Sequence, residues 1–432
     1  MQDTAIIAGA FCYTRAPMHE AAFVPARLWI APFALLLAAI AILPLATPRL
    51  WHSNARKLAL SALLGLPVVL LYLRHHPVAL VETARDYVSF IVLLASLFVI
   101  SGGIVARGDL RATPAVNTAF LGTGAVLASF IGTTGAAMLL IRPLLDTNAE
   151  RRRVHHTVIF FIFVVANIGG CLTPLGDPPL FLGYLAGVPF RWTLRLFPMW
   201  LFTNGVLLVV YYLWDRREFG REAPRDRERD LASVRPLRLS GLVNVPLLLG
   251  VVARVARLGA PYRELAMIAL AVASWRLTAP EVRRENRFSF HPILEVAAVF
   301  AGIFATMIPA LDVLRAEAPA LGIREPWHFF WATGALSSFL DNAPTYLVFL
   351  AVARGAGLAP EVAGVSHAVL VGISLGAVFM GANTYIGNGP NFMVRSIAEE
   401  RGVRMPSFGG YMLVSGAVLL PLFALVTLVF LR

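Results

Sequence analysis

One short pattern occurs twice in the chain, each time inside a long apolar stretch. The first copy reads Thr173-Pro174-Leu175-Gly176-Asp177-Pro178-Pro179 and the second Thr384-Tyr385-Ile386-Gly387-Asn388-Gly389-Pro390. A second matched pair lies upstream of each copy. Ser129-Phe130-Ile131 runs into Gly132-Thr133-Thr134, and Ser338-Phe339-Leu340 runs into Asp341-Asn342-Ala343. Gly, Pro and polar residues end helices, and ending one inside hydrocarbon leaves backbone groups without partners at several kcal/mol each. Breaks at corresponding places in two halves point to a binding site built at the membrane midplane.

The surroundings of the breaks make the membrane reading firm. The chain is 58% hydrophobic and only 14% charged, where soluble domains carry about a quarter charged residues. Its apolar blocks reach the ~20 residues that a helix needs to cross a bilayer. The net charge of +12 is carried by arginine, with Lys57 the sole lysine. These arginines sit in short loops between apolar blocks, which fits the positive-inside rule rather than nucleic-acid binding. Cys12 and Cys171 lie in unrelated contexts and form no metal-ligand spacing.

The pattern predicts an all-α polytopic membrane protein. Residues 1–27 read as an N-terminal extension, with Met18 an alternative start. A first repeat covers 28–214, with spans at 28–46, 58–73 and 88–105, a hairpin at 115–145, a broken helix at 157–188 and a span at 193–214. Each hairpin arm reads as too short to span alone, so the hairpin is re-entrant. The mixed-charge run 215–238 reads as a solvated cytoplasmic linker. A second repeat covers 239–432, with spans at 239–257, 262–277 and 292–310, a hairpin at 327–350, a broken helix at 364–400 and a last span at 411–431. Each half thus crosses five times. An odd number inverts the second half relative to the first, giving two inverted repeats. Arginine-rich loops, among them Arg151-Arg152-Arg153 and Arg283-Arg284, place one side in the cytoplasm of a plasma (bacterial inner) membrane, with both termini outside. His155 and His156 read as interface anchors, Arg142 as a residue reaching the cytoplasmic surface, and Asp312 and Glu317 as loop.

Two carboxylates fall inside the breaks, Asp177 and Asp341. An acid at membrane depth costs roughly 2.5–3.5 kcal/mol on insertion scales, so each is a functional candidate. Either could bind a cation or carry a proton; alternatively, Asp177 could cap the helix that follows it. Around them stand Ser129, Thr133, Thr134, Asn167 and Thr173, then Ser338, Asn342, Thr345, Asn383, Thr384, Asn388 and Asn391. Such oxygens suit Na⁺, and their hydroxyl and amide donors equally suit a carboxylate. Each could instead bond a helix backbone. There is no P-loop, haem motif or zinc spacing, and no nucleophile–base pair that would indicate an enzyme.

Asn167-Ile168-Gly169-Gly170 with the Thr173–Pro179 run resembles the N-x-G-G…T-P-[IL]-G-D-P-P signature of the ion transporter superfamily. Ser338–Pro344 resembles the S-x-x-x-D-N-x-P hairpin of its branch of NhaD-type sodium/proton antiporters, arsenite permeases and citrate-transporter-like proteins. The resemblance implies a homodimer, elevator-like movement of a hairpin-bearing domain, and roles for Asp341, Asn342, Asp177 and Asn167 in ion binding or coupling. Two features depart from it. Gly132-Thr133 stands where many NhaD-type members carry an acid and an amide, and the Ser-Asn-Thr tips of the dicarboxylate branch are absent.

The expected function is secondary active transport without a cofactor, a sodium/proton antiporter that exchanges Na⁺ (or Li⁺) for H⁺. Asp341 is the main carrier and Asp177 the second, and protonation releases the metal. An organic-anion (citrate or dicarboxylate) symporter and an arsenite or oxyanion permease are the alternatives, and a passive channel is a further class.

Overall fold

The structure is a computed structural model that describes residues 23–47, 51 and 53–432. Most of the expected N-terminal extension, with Cys12 and Met18, lies outside the described residues. The helices of the first half are α1 (Ala31–Ala46), α2 (Asn54–His75), α3 (Pro77–Ser101), the hairpin α4 (Pro114–Ile131) and α5 (Thr133–Thr147), the broken pair α6 (His155–Val164) and α7 (Pro178–Leu185), and α8 (Phe197–Gly220). Helix α9 (Pro224–Ser233) follows. The second half has α10 (Asn244–Arg257), α11 (Tyr262–Leu277), the short α12 (Pro280–Glu285), α13 (His291–Glu317), the hairpin α14 (Pro326–Ser337) and α15 (Asn342–Gly355), the broken pair α16 (His367–Met380) and α17 (Gly389–Glu400), and α18 (Phe408–Phe430).

Among the described residues, eight helices are long and apolar enough to cross a membrane. The expected spans 239–257 and 262–277 are not among them, since α10 has 14 residues and α11 has 16, whereas the short expected span 58–73 is, as the 22-residue α2. The chain ahead of α10 is taken up by a strand and a turn at Gly241, so the helix starts later than the apolar pattern suggests. In the other direction, α4 has 18 residues. At 1.5 Å per residue that arm comes close to the ~30 Å hydrocarbon thickness, so it is longer than a short re-entrant arm. Helix α3 begins well before residue 88, because Glu82, Arg85 and Asp86 ride on its exposed first turns instead of ending it. Helix α13 runs through Asp312 to Glu317, where a loop was expected. Tyr72 Oη donates to Asp312 at 2.7 Å, and Arg27 pairs with Glu317 at 2.5 Å.

The charged run 215–238 is not a free linker. It continues α8 to Gly220, forms α9, and then enters strand β2 (Arg235–Ser240), antiparallel to β1 (Val105–Asp109). The register pairs Val105 with Ser240 and Arg107 with Arg238. Asp230, buried, accepts the Ala112 amide at 3.0 Å. Pairing between segments this far apart leaves no local pattern to read.

Helices α6 and α16 are apolar on every side and buried throughout most of their lengths. That pattern marks helices surrounded by protein. The two broken helices therefore hold the centre. Helices α2, α10 and α11 instead expose Leu63, Leu66, Leu70, Leu249 and Leu265 at the periphery, as lipid-facing helices do.

Candidate functional site

Each break is made by local chemistry. Between α4 and α5 only Gly132 intervenes, at φ +82°, a conformation that costs glycine little. Helix α6 stops before Asn167, a 3₁₀ turn runs from Ile168 to Leu172, and the chain is extended again at Thr173 and Asp177. Pro178 and Pro179 then open α7, where the missing amides are no loss. In the second half the 3₁₀ turn is Gly381–Asn383, and α17 opens at Gly389-Pro390.

The hairpins are tied to the breaks by one contact made twice. Thr173 Oγ1 donates to the Ser129 carbonyl, and Thr384 Oγ1 donates to the Ser338 carbonyl at 2.5 Å. Ser129 Oγ donates to Gly169 O at 2.5 Å and accepts the Leu172 amide at 3.3 Å. Ser338 Oγ donates to Gly334 O at 2.8 Å and accepts from Asn383 Nδ2 at 2.9 Å. Thr345 Oγ1 donates back to Asp341 O at 2.9 Å. These hydroxyls satisfy backbone that the breaks would leave bare.

A different set meets at the crossing of the four breaks. Asp177, 1% exposed, accepts from Thr133 Oγ1 at 2.9 Å, Asn342 Nδ2 at 2.6 Å and Asn388 Nδ2 at 3.2 Å. The donors come from the first hairpin tip, the second hairpin tip and the second broken helix. Asn388 Nδ2 also reaches Asn167 Oδ1 at 3.2 Å. Asn167 Nδ2 donates to Asn391 Oδ1 at 2.7 Å, and Asn391 Nδ2 donates to Gly381 O and Thr384 O at 2.8 and 2.9 Å. The buried amides and the carboxylate form one continuous network.

The two acids have different positions. Asp177 stands at the N-cap of α7 but its side chain makes no capping bond. Asp341 does cap, accepting the Ala343 amide at 2.9 Å, and it is part-exposed. Asn342 Oδ1 is buried and has no hydrogen-bond partner among the described residues. An unsatisfied buried acceptor costs about 1–3 kcal/mol. Next to a buried carboxylate, an oxygen of this kind fits a hard cation, which takes oxygen ligands.

Four helix N-termini open at the same crossing, those of α5, α7, α15 and α17, beginning at Thr133, Pro178, Asn342 and Gly389. Their partial positive charges favour negative charge there. Thr134, half-buried, faces a cavity of about 100 Å³ that also touches Asp177 and reaches Leu97, Phe98 and Ile293.

A second buried polar knot was not read from the sequence. The sequence pattern places Arg151 in a loop and His156 at the interface. Instead Asp215 of α8 is buried and accepts Arg151 Nη2 at 2.6 Å, Arg151 Nη1 at 3.1 Å, Asn117 Nδ2 at 3.3 Å and pairs with His156 Nε2 at 2.8 Å. It fastens the base of the first hairpin to α6 and α8. The one available signal is Asp215 itself, an acid at the end of an apolar run. Arg142 stays half-buried and donates to Asn286 Oδ1 at 3.2 Å.

No curated protein matches the chain. Residues 23–431 match a family model described as "Putative citrate transport". The match takes in both hairpins, both broken helices and every membrane-length helix, in agreement with the resemblance to the citrate-transporter-like branch. The chain belongs to this citrate-transport family of integral membrane proteins.

Proposed function

We propose that the protein is a secondary active transporter that moves a small organic carboxylate together with Na⁺. The observation that carries this reading is the crossing itself, where a buried carboxylate and an unpartnered buried oxygen stand among four helix N-termini. Asp177 and Asn342 Oδ1 supply oxygens to Na⁺. The cation offsets the Asp177 charge, and the helix ends then favour a substrate carboxylate alongside it. A proton competes with Na⁺ for Asp177, so acidification raises the Na⁺ concentration needed for transport. Asp341 serves first as the cap that sets the second hairpin tip. The family's description supports an organic carboxylate as cargo.

Na⁺/H⁺ exchange at the same Asp177 is the second reading. It is favoured by one observation: among the described residues no lysine or arginine lines the cavity beside Asp177 to hold an anion. The oxyanion reading has no observation of its own to favour it.

In this proposal the halves 28–214 and 239–432 are inverted repeats, and the hairpins and broken helices move as one body against the remaining helices. The protein works as a homodimer in a plasma membrane with both termini outside. Uptake into proteoliposomes tests the function: carboxylate accumulation driven by a Na⁺ gradient supports it, and Na⁺-driven proton release with no carboxylate movement replaces it with the second reading.

A further inference from the structure

We infer that the carboxylate carried is a monocarboxylate with a short apolar body. This rests on the reading of carboxylate transport above and narrows its substrate class. The cavity that touches Asp177 has a volume of about 100 Å³, room for several water molecules at the ~10–15 Å³ that each needs. Its polar side chains are Thr133, Thr134 and Asp177, and the backbone of the first break at Pro174–Gly176 also borders it. The opposite wall is Leu93, Leu97 and Phe98 of α3 with Ile293 and Val296 of α13. Among the described residues, none that lines it is basic. The nearest basic residue on the hairpin, Arg142, is engaged with Asn286 and does not line the cavity.

Charge decides the class. One carboxylate finds the start of α5, the cation on Asp177 and the Thr134 hydroxyl, which makes no side-chain hydrogen bond among the described residues. A second or third carboxylate would face leucine, phenylalanine and isoleucine. A buried charge without a partner is strongly disfavoured. A methyl or ethyl group against the same wall gains from burial. Thr134 is thus the specificity contact for the charged end, and Leu97 with Phe98 for the apolar end.

The experiment is solute counterflow in proteoliposomes holding the full chain in Na⁺, with labelled pyruvate outside and unlabelled competitor varied. Pyruvate and 2-oxobutyrate should compete at concentrations at least about tenfold below succinate, and citrate should be weaker still. Thr134→Val should raise the half-maximal pyruvate concentration by about tenfold, the loss of one hydrogen bond to a charged group, with an unchanged melting temperature. Leu97→Arg, if it folds, should move the preference toward succinate. Preference of the unmodified protein for citrate or succinate over pyruvate would overturn the inference and leave carboxylate transport standing. Absence of counterflow with every carboxylate, in vesicles that still exchange Na⁺ for H⁺, would instead overturn the carboxylate reading itself.

Discussion

Asn342, at the tip of the second hairpin, donates to Asp177, inside the first broken helix, over 2.6 Å and across 165 positions of sequence. The contact joins the two halves at the point where both are broken. It also leaves Asn342 Oδ1 without a partner while its amide nitrogen is engaged. One side chain therefore both holds the crossing together and offers it an unused oxygen.

Na⁺ should raise the melting temperature of the purified protein, because a ligand that binds only the folded state stabilises it. Asp177→Asn and Asn342→Ala should each remove that response. A sodium-dependent shift that survives in either variant would show that the residue is no ligand.

Asp341→Asn separates capping from charge. Asparagine is as good an N-cap as aspartate, so the variant should fold and keep a substantial part of its coupled transport. Asp341→Ala should lose about 1 kcal/mol of stability, the usual worth of a cap. Complete loss of transport in Asp341→Asn, with the fold intact, would make Asp341 a cation carrier in its own right.

Asp215→Asn should destabilise the protein by up to about 3 kcal/mol, since it removes the nearer counter-charge of the buried Arg151 guanidinium and leaves only Glu222 at 3.9 Å. Thermal unfolding in detergent reads this directly. An unchanged midpoint would mean that the knot is not needed to hold the hairpin base.

Gly387→Ala should fail to give folded protein or cost about 1–3 kcal/mol. A Cβ there would stand 2.6 Å from Gly381 O and 2.8 Å from Ser337 O, both of them backbone atoms. Size-exclusion profiles would decide, and a monodisperse, fully stable variant would contradict the packing of hairpin against break.

The breaks were legible because they violate a strong rule. Gly132, the Thr173–Pro179 run and the Thr384–Pro390 run sit where apolar helix is otherwise compulsory, so their positions showed in one dimension. Which side chains meet did not show. Ser129, Thr173, Ser338 and Thr384 look like ligands by type, yet their hydroxyls are used on backbone carbonyls and amides. The cap offered as the alternative role of Asp177 is not made there, and Asp341 makes one instead. The β1–β2 ribbon and the Asp215 knot join distant segments, and neither leaves a periodic trace. Helices α10 and α11 are clearly apolar; α10 is shorter than its pattern suggests because a strand and a turn take up the chain ahead of it, while α11 has the expected bounds 262–277.

The central claim is that Asp177 couples Na⁺ to carboxylate movement. The most direct measurement is uptake of labelled pyruvate, succinate and citrate into proteoliposomes under an inward Na⁺ gradient, comparing the unmodified protein with Asp177→Asn. The account predicts accumulation of a carboxylate by the unmodified protein only when Na⁺ is present outside, and none by the folded variant. Accumulation that is indifferent to Na⁺, or that persists in Asp177→Asn, would contradict it.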